Sequence, residues 1–179
     1  MMNTFPEINL SLQDTQWPLE YTDHDRQIAR AIVFDDSGLL YFVRIDRNDE
    51  FGKGILIETS GGGVERGEDL HSAIMRELQE ELGVTVEILC KLGTVSDYYN
   101  LIHRHNINHY YLCRILSSTE KNLTREEIEK FHLSTLQLTY EEAIQEYTHC
   151  AITPLGKLIA NRELPVLQHA KKIMESCGL

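Results

Sequence analysis

Three glutamates, Glu77, Glu80 and Glu81, stand at i, i+3 and i+4 in a stretch whose apolar residues follow a helical period. With Glu77 set at zero and a step of roughly 100° per residue, Leu70, Ile74, Leu78 and Leu82 fall at about 20°, about 60°, about 100° and about 140° and define a core stripe. Glu81 lands at about 40°, inside that stripe, and Glu80 at about 300°, on its border, whereas Asp69, Ser72, Arg76 and Gln79 take the solvent side. Two of the three carboxylates are therefore expected among leucines, where an unpaired charge is costly. Acidic groups at this spacing converge on one point, and hard cations such as Mg²⁺ take oxygen ligands of this type. The alternative is structural: Arg76, Lys91 or another base pairs with them. Helix geometry alone leaves both readings open.

Gly61, Gly62 and Gly63 come just before this stretch. Glycines let a backbone pass close to another group, and a carbonyl there could complete a cation's oxygen shell. A flexible turn from strand to helix would use the same residues. The segment from Gly62 to Val84 then reads Gly62, Glu68, Arg76-Glu77-Leu78, Glu80-Glu81 and Gly83-Val84 at fixed spacing. It resembles the Nudix box, G-x5-E-x7-R-E-U-x-E-E-x-G-U with U aliphatic, at every constrained position, and the likeness extends over roughly residues 26–150. One departure is Ser60, where members of the family commonly carry a proline before the glycines.

The resemblance implies an α/β/α sandwich with a mixed, partly open sheet. It also implies a Mg²⁺- or Mn²⁺-dependent hydrolase of nucleoside diphosphates linked to a further moiety X. Carried over by position, Glu77, Glu80 and Glu81 match the metal-binding carboxylates, and Gly61 matches the residue whose carbonyl often ligates. Arg76 and Glu68 match a pair that braces the loop against the helix. Metal ions neutralise the charge that protects a pyrophosphate from nucleophiles, and a carboxylate takes the proton of the attacking water. Glu81 is the candidate base, with Glu126, Glu127 and Glu129 as candidates outside the box; three acids at a helix start also serve as a solvated cap. A non-hydrolysing nucleotide-binding regulator with the same fold is the alternative function. Homodimers are common in the family.

For the moiety X, the segment from Asp97 to His105 is the best candidate. It combines rings that stack, Tyr98 and Tyr99, with donors for phosphate, His103 and His105. An ordinary hairpin with core tyrosines explains the same residues. Arg44 and Arg47, at a strand end and in the following loop, are further phosphate candidates. His103, His105 and His109 lack the neighbouring ligands of a zinc site. The chain has no proline some fifteen residues past the box, which weakens an ADP-ribose-type assignment, and Tyr98 and Tyr99 match the tyrosine of dinucleoside polyphosphate hydrolases poorly.

The elements that position these residues follow from the pattern. Ile28–Phe34, a turn at Asp35-Asp36-Ser37-Gly38, and Leu39–Ile45 predict a hairpin. A polar loop over 46–54, a short strand at 55–57 and a glycine loop follow. A helix is expected over Glu68–Leu82, strands over 84–95 and 106–116, and helices after Thr139, after Thr153-Pro154 and over Pro165–Ser176. Residues 1–25 read as an N-terminal arm and 26–179 as one domain.

The 179 residues suffice for a full core. With 17 basic and 28 acidic residues the formal charge is −11, which argues against nucleic acid as a partner while permitting a small anion held through a cation. The first residues show no signal-peptide pattern, and no uncharged run approaches the ~18 residues of a membrane helix, so neither membrane nor export is expected. Four dispersed cysteines without C-x-x-C spacing read as reduced thiols of a cytoplasmic protein.

Overall fold

The computed structural model describes residues 5–179, so the first four residues of the expected arm lie outside the described residues. The rest of that arm contributes a strand. Ile8–Leu12 (β1) pairs in parallel with Gly93–Asp97, its alternating exposure placing Ile8, Leu10 and Leu12 against the core. The β-branched run predicted from Gln27 starts earlier, as β2 (His24–Phe34), and leads through the Asp35 turn into β3 (Leu40–Asp49). Asp35 organises that turn by accepting from the backbone N–H groups of Ser37 and Leu39 at 2.9 and 3.1 Å.

Two expected loops are strands. The polar stretch 46–54 continues the ladder of β3 with β4 (Gly52–Glu58), pairing Asp46 with Ile55, Arg47 with Gly54 and Asn48 with Lys53. Backbone pairing makes no demand on side-chain polarity, so a solvated ladder of this kind leaves no hydrophobic period. The glycines form β5 (Ser60–Gly63), antiparallel to β2, with Ile28 opposite Gly63 and Ala31 opposite Ser60.

Helix α1 (Leu70–Leu82) is started by Asp69, whose carboxylate accepts from Ser72 N–H at 2.9 Å, and stopped by Gly83 at φ 66°. Its stripe of Ala73, Ile74 and Leu78 is wholly buried, each large side chain contributing about 1.5–3 kcal/mol. Strands β6 (Val84–Tyr99) and β7 (Arg104–Ser118) form a long hairpin closed by a 3₁₀ turn at Asn100–Ile102. A short α2 (Arg125–Glu129), β8 (Ser134–Leu138), α3 (Tyr140–Cys150) and α4 (Pro154–Cys177) complete the chain.

The two helices expected after Thr153 are one. Pro165 sits inside α4, although its ring supplies no N–H to the carbonyl of Asn161. Packing overrides the break: Leu158, Ile159, Arg162, Glu163, Val166 and Leu167, on both sides of the proline, are all buried.

The sheet runs β1-β6-β7-β2-β3-β4, with β5 on β2 and β8 on β3; it is mixed, because β1 with β6 and β2 with β7 are parallel. Helix α1 covers one face over Ala29, Ala31, Val33 and Tyr111, while α3 and α4 cover the other over Phe42, Leu92, Tyr110 and Leu112. The result is the expected α/β/α sandwich with an open sheet. No helix among the described residues is long and apolar enough to cross a membrane. Cys90, Cys113, Cys150 and Cys177 are free thiols.

Candidate active site

Strand β5 delivers the chain to α1 with its glycines pressed against side chains. A Cβ on Gly61, at φ 148°, would lie 2.1 Å from the Ala29 carbonyl oxygen, so this position needs the missing side chain; on Gly62 it would meet Glu77 Oε1 at 2.5 Å and on Gly63 an Arg26 nitrogen at 2.9 Å, the movable ends of two side chains. The glutamates take the places their wheel positions dictate. Glu77 and Glu81 are buried, at 9% and 6% exposure, and Glu80 is half-buried.

The three carboxylates do not meet at one point. Arg76 donates to Glu77 at 2.7 Å and to Glu80 at 3.2 Å through the same nitrogen, and to both oxygens of Glu68 at 2.9 Å. It also donates to the Gly63 carbonyl at 3.1 Å, which ties the helix to the glycine strand. Glu81 turns the other way and accepts from Ser60 Oγ at 2.6 Å and from Gly61 N–H at 3.0 Å. Ser60 thus supplies a hydroxyl that a proline there would lack. Among the described residues no three acidic, histidine or cysteine side chains form a ready-made metal cage. Lys91 pairs with Glu7 instead of the box.

One guanidinium therefore answers three of the four carboxylates, and Glu81 has only neutral donors. Burial pushes the Glu81 carboxyl up to about 8; Ser60 and Gly61 act against this, and the charges of Glu77 and Glu127 add to it. Burial likewise raises Glu77, with Arg76 opposing and Glu80 and Glu127 reinforcing. A surplus of hard oxygen donors at a glycine-flattened backbone fits a divalent cation, with Glu77, Glu80, Glu81 and the Gly61 carbonyl as the groups to hold it. Of the outer acids, Glu126 pairs with Lys130 and Glu129 with Arg125, both exposed, while Glu127 closes the capping box on Thr124.

On the opposite face, near Gly63, lies a cavity of about 120 Å³. Arg26, Arg30, Arg47, Arg104 and Arg162 line it, with Glu58, Asn106, Tyr99 and Phe51. Arg162, 1% exposed, anchors its floor through Asp97 at 3.1 Å, Glu163 at 2.8 Å and Glu58 at 3.3 Å. Arg30 pairs with Glu58 at 3.0 Å and donates to Asn108 Oδ1 at 3.1 Å. Burial opposes ionisation of Glu58, yet Arg30, Arg162 and Arg47 together hold its carboxyl below the ordinary value. A larger cleft of about 620 Å³ between β4 and the end of α3 contains none of the α1 glutamates.

Of the sequence candidates for X, Arg47 and Tyr99 line this cavity, and Tyr99 OH accepts from Arg162 at 2.6 Å. Arg47 also pairs with Asp49 and lies over the Phe51 ring. Tyr98, His103 and His105 are elsewhere. Residues 97–99 are strand, so Tyr98 leaves by the other face and stacks on His105, whose ring bonds Asp25 at 2.6 Å. His103 stacks on Tyr21, and Arg44 sits on β3 between Ile57 and Ser134. Sequence reasoning passed over Arg26, Arg30, Asn106 and Arg162, and took in Arg104 only as part of the segment 97–105. A signal for the first two existed: Arg26, Ile28 and Arg30 alternate along one strand and so share a face.

Comparison with known proteins agrees with this architecture. The NUDIX domain model matches residues 24–150. Among solved structures, a NUDIX hydrolase from Nitrosomonas europaea superposes with TM-score 0.58 at 15% identity, over 70% of this chain and 79% of that one. The E. coli ORF135 protein gives 0.55 at 21% identity, over 90% and 97%. A MutT NUDIX hydrolase from Burkholderia pseudomallei gives 0.54 at 20%, over 66% and 86%. These likenesses are of fold. The search of curated proteins finds no match.

Proposed function

The chain belongs to the NUDIX family, and from that premise we propose that it hydrolyses phosphoric anhydride bonds of nucleoside diphosphates linked to a moiety X, at the glutamates of α1. The observation that carries this reading is the carboxylate surplus around Arg76, held where α1 meets the glycine strand. Glu77, Glu80, Glu81 and the Gly61 carbonyl would hold Mg²⁺ or Mn²⁺. Such an ion supplies charge neutralisation at the phosphate oxygens and acidifies a water.

The chain's own groups do the rest. Arg76 keeps Glu77 and Glu80 side by side and joins α1 to Gly63. Glu81 takes the proton of the attacking water, its oxygen oriented by Ser60 and Gly61. The water oxygen bonds to phosphorus, the bridging P–O bond breaks, and the products are two phosphate monoesters or their equivalents. Glu127 is the second candidate base, since its charge acts on both Glu77 and Glu81.

The test is a panel of nucleoside triphosphates, nucleotide sugars, ADP-ribose and dinucleoside polyphosphates, assayed with Mg²⁺ for phosphate or pyrophosphate release. Turnover of at least one is expected, and Glu80→Gln should lower its kcat by about 10²-fold or more, worth roughly 3 kcal/mol, with little change in Tm. Wild-type rates in Glu80→Gln at saturating Mg²⁺ overturn the assignment. Nucleotide binding without turnover favours the regulator.

A further inference from the structure

Most charged groups around the basic cavity are tied to one another: Arg30 and Arg162 to Glu58, Asp97 and Glu163, and Arg47 to Asp49. Arg26 and Arg104 are different. Both line the cavity and are half-buried, and neither has a hydrogen-bond or carboxylate partner among the described residues. Burial, then the charges of Arg104 and Arg30, hold the Arg26 guanidinium below its ordinary pKa. Two like charges kept close, with only the nearby Glu77 carboxylate offsetting Arg26, are a cost to the fold that a bound anion reduces.

Their placement gives the anion a position. Arg26 reaches the inner end of the cavity, since it is the group a Cβ on Gly63 would strike, and Glu77 feels its charge. The parallel register sets Arg26 beside Asn106 and His24 beside Arg104. Arg104 is thus two residues farther out along β7, about 7 Å by strand rise. Between them Asn106 is 5% exposed, and its side-chain oxygen has no hydrogen-bond partner among the described residues. That oxygen calls for a donor, which a hydroxyl next to a phosphate supplies.

We propose that Arg26 and Arg104, with the Asn106 amide between them, bind a phosphoryl group lying beyond the scissile anhydride. The substrates are then nucleotides carrying a further phosphate, as a longer phosphate chain or a monoester on X, in preference to those with a neutral X. Paired guanidinium forks match phosphate oxygens in number and geometry. An anhydride at the α1 glutamates engages the Arg26 end of the site, and the additional phosphate engages Arg104. This inference rests on the proposed hydrolysis at α1.

The experiment uses two nucleoside diphosphate conjugates that differ only in a terminal phosphate on X, with wild type, Arg104→Gln and Arg104→Lys. Wild type should favour the phosphorylated substrate in kcat/KM by about tenfold or more; Arg104→Gln should lose that ratio and Arg104→Lys keep part of it. Binding of inorganic tripolyphosphate, read by calorimetry, should weaken about tenfold in Arg104→Gln. Both variants should melt within about 2 °C of wild type, because no structural partner is removed. An unchanged ratio with unchanged tripolyphosphate binding overturns the proposal, and continued hydrolysis then leaves the α1 assignment standing. A Tm loss of more than about 5 °C also overturns it, by making Arg104 a structural residue. If no conjugate is hydrolysed while tripolyphosphate binding still depends on Arg104, the α1 assignment fails and the anion site stands.

Discussion

Two arginines, each ringed by carboxylates, sit on opposite faces of the same sheet, and their surroundings have opposite electrostatic characters. Arg162 is 1% exposed and pairs with Asp97, Glu163 and Glu58, the last shared with a second guanidinium, Arg30, while hydroxyls of Thr59 and Tyr110 donate to Glu163 at 3.0 and 3.2 Å. Arg76, with its side chain 25% exposed, faces Glu68, Glu77 and Glu80 alone, and Glu81 beside them has only neutral donors. The first cluster is nearly balanced and largely buried, so it ties β4, β6 and α4 together. The second carries a standing excess of negative charge next to solvent. Balanced burial serves the fold, whereas the uncompensated excess is what supports the proposed cation site.

The largest effect that tests this contrast is loss of Arg162. Arg162→Met leaves Glu58, Asp97 and Glu163 short of compensation and should cost about 3–5 kcal/mol, a drop in Tm of roughly 6–20 °C, measured by calorimetry. Arg76→Met should cost less than half as much, because its partners can turn to water. An equal drop for the two breaks the comparison.

Of intermediate size is the response of the glutamate cluster to cation and pH. Mg²⁺ at a hundredfold excess over its Kd should add about 2.7 kcal/mol of stability. In EDTA the sign of the pH effect follows from Glu81, whose folded pKa of about 8 lies above the ordinary 4.5. The folded chain then holds more protons than the unfolded one, so its stability is full below about pH 4.5 and declines as pH rises through about 8. Mg²⁺ should flatten this decline and Glu81→Gln should remove most of it. A decline that persists in Glu81→Gln assigns the titration to another group.

Smallest is the effect of Ser60→Ala, which deletes the hydroxyl donating to Glu81 at 2.6 Å. Stability should change by about 1 kcal/mol or less, but the Glu81 pKa should rise and carry the acid limb of kcat to higher pH. An unmoved limb removes Glu81 as the base.

Local spacing by itself determined α1, its buried glutamates and its stop at Gly83, because a helix brings i, i+3 and i+4 together whatever lies around it; the Asp69 cap shows only in the structure. The β-branched runs likewise marked the main strands, while the sandwich was implied by the resemblance to the Nudix box and not by these runs. What only the tertiary structure decided depends on pairing between distant segments. The glycines became a strand because β2 was there to receive them, and α4 ran through Pro165 because both its halves were buried against the sheet. Adjacent tyrosines parted company once β7 made residues 97–99 a strand: Tyr98 joined His105 and Tyr99 joined Arg162. The basic cavity draws on β2, the β3–β4 turn, β6, β7 and α4, and no local pattern in the sequence records which of their residues face one another. That choice is made by the parallel register of β2 on β7, where a slip of one residue would put Arg26 and Arg104 on different faces of the sheet.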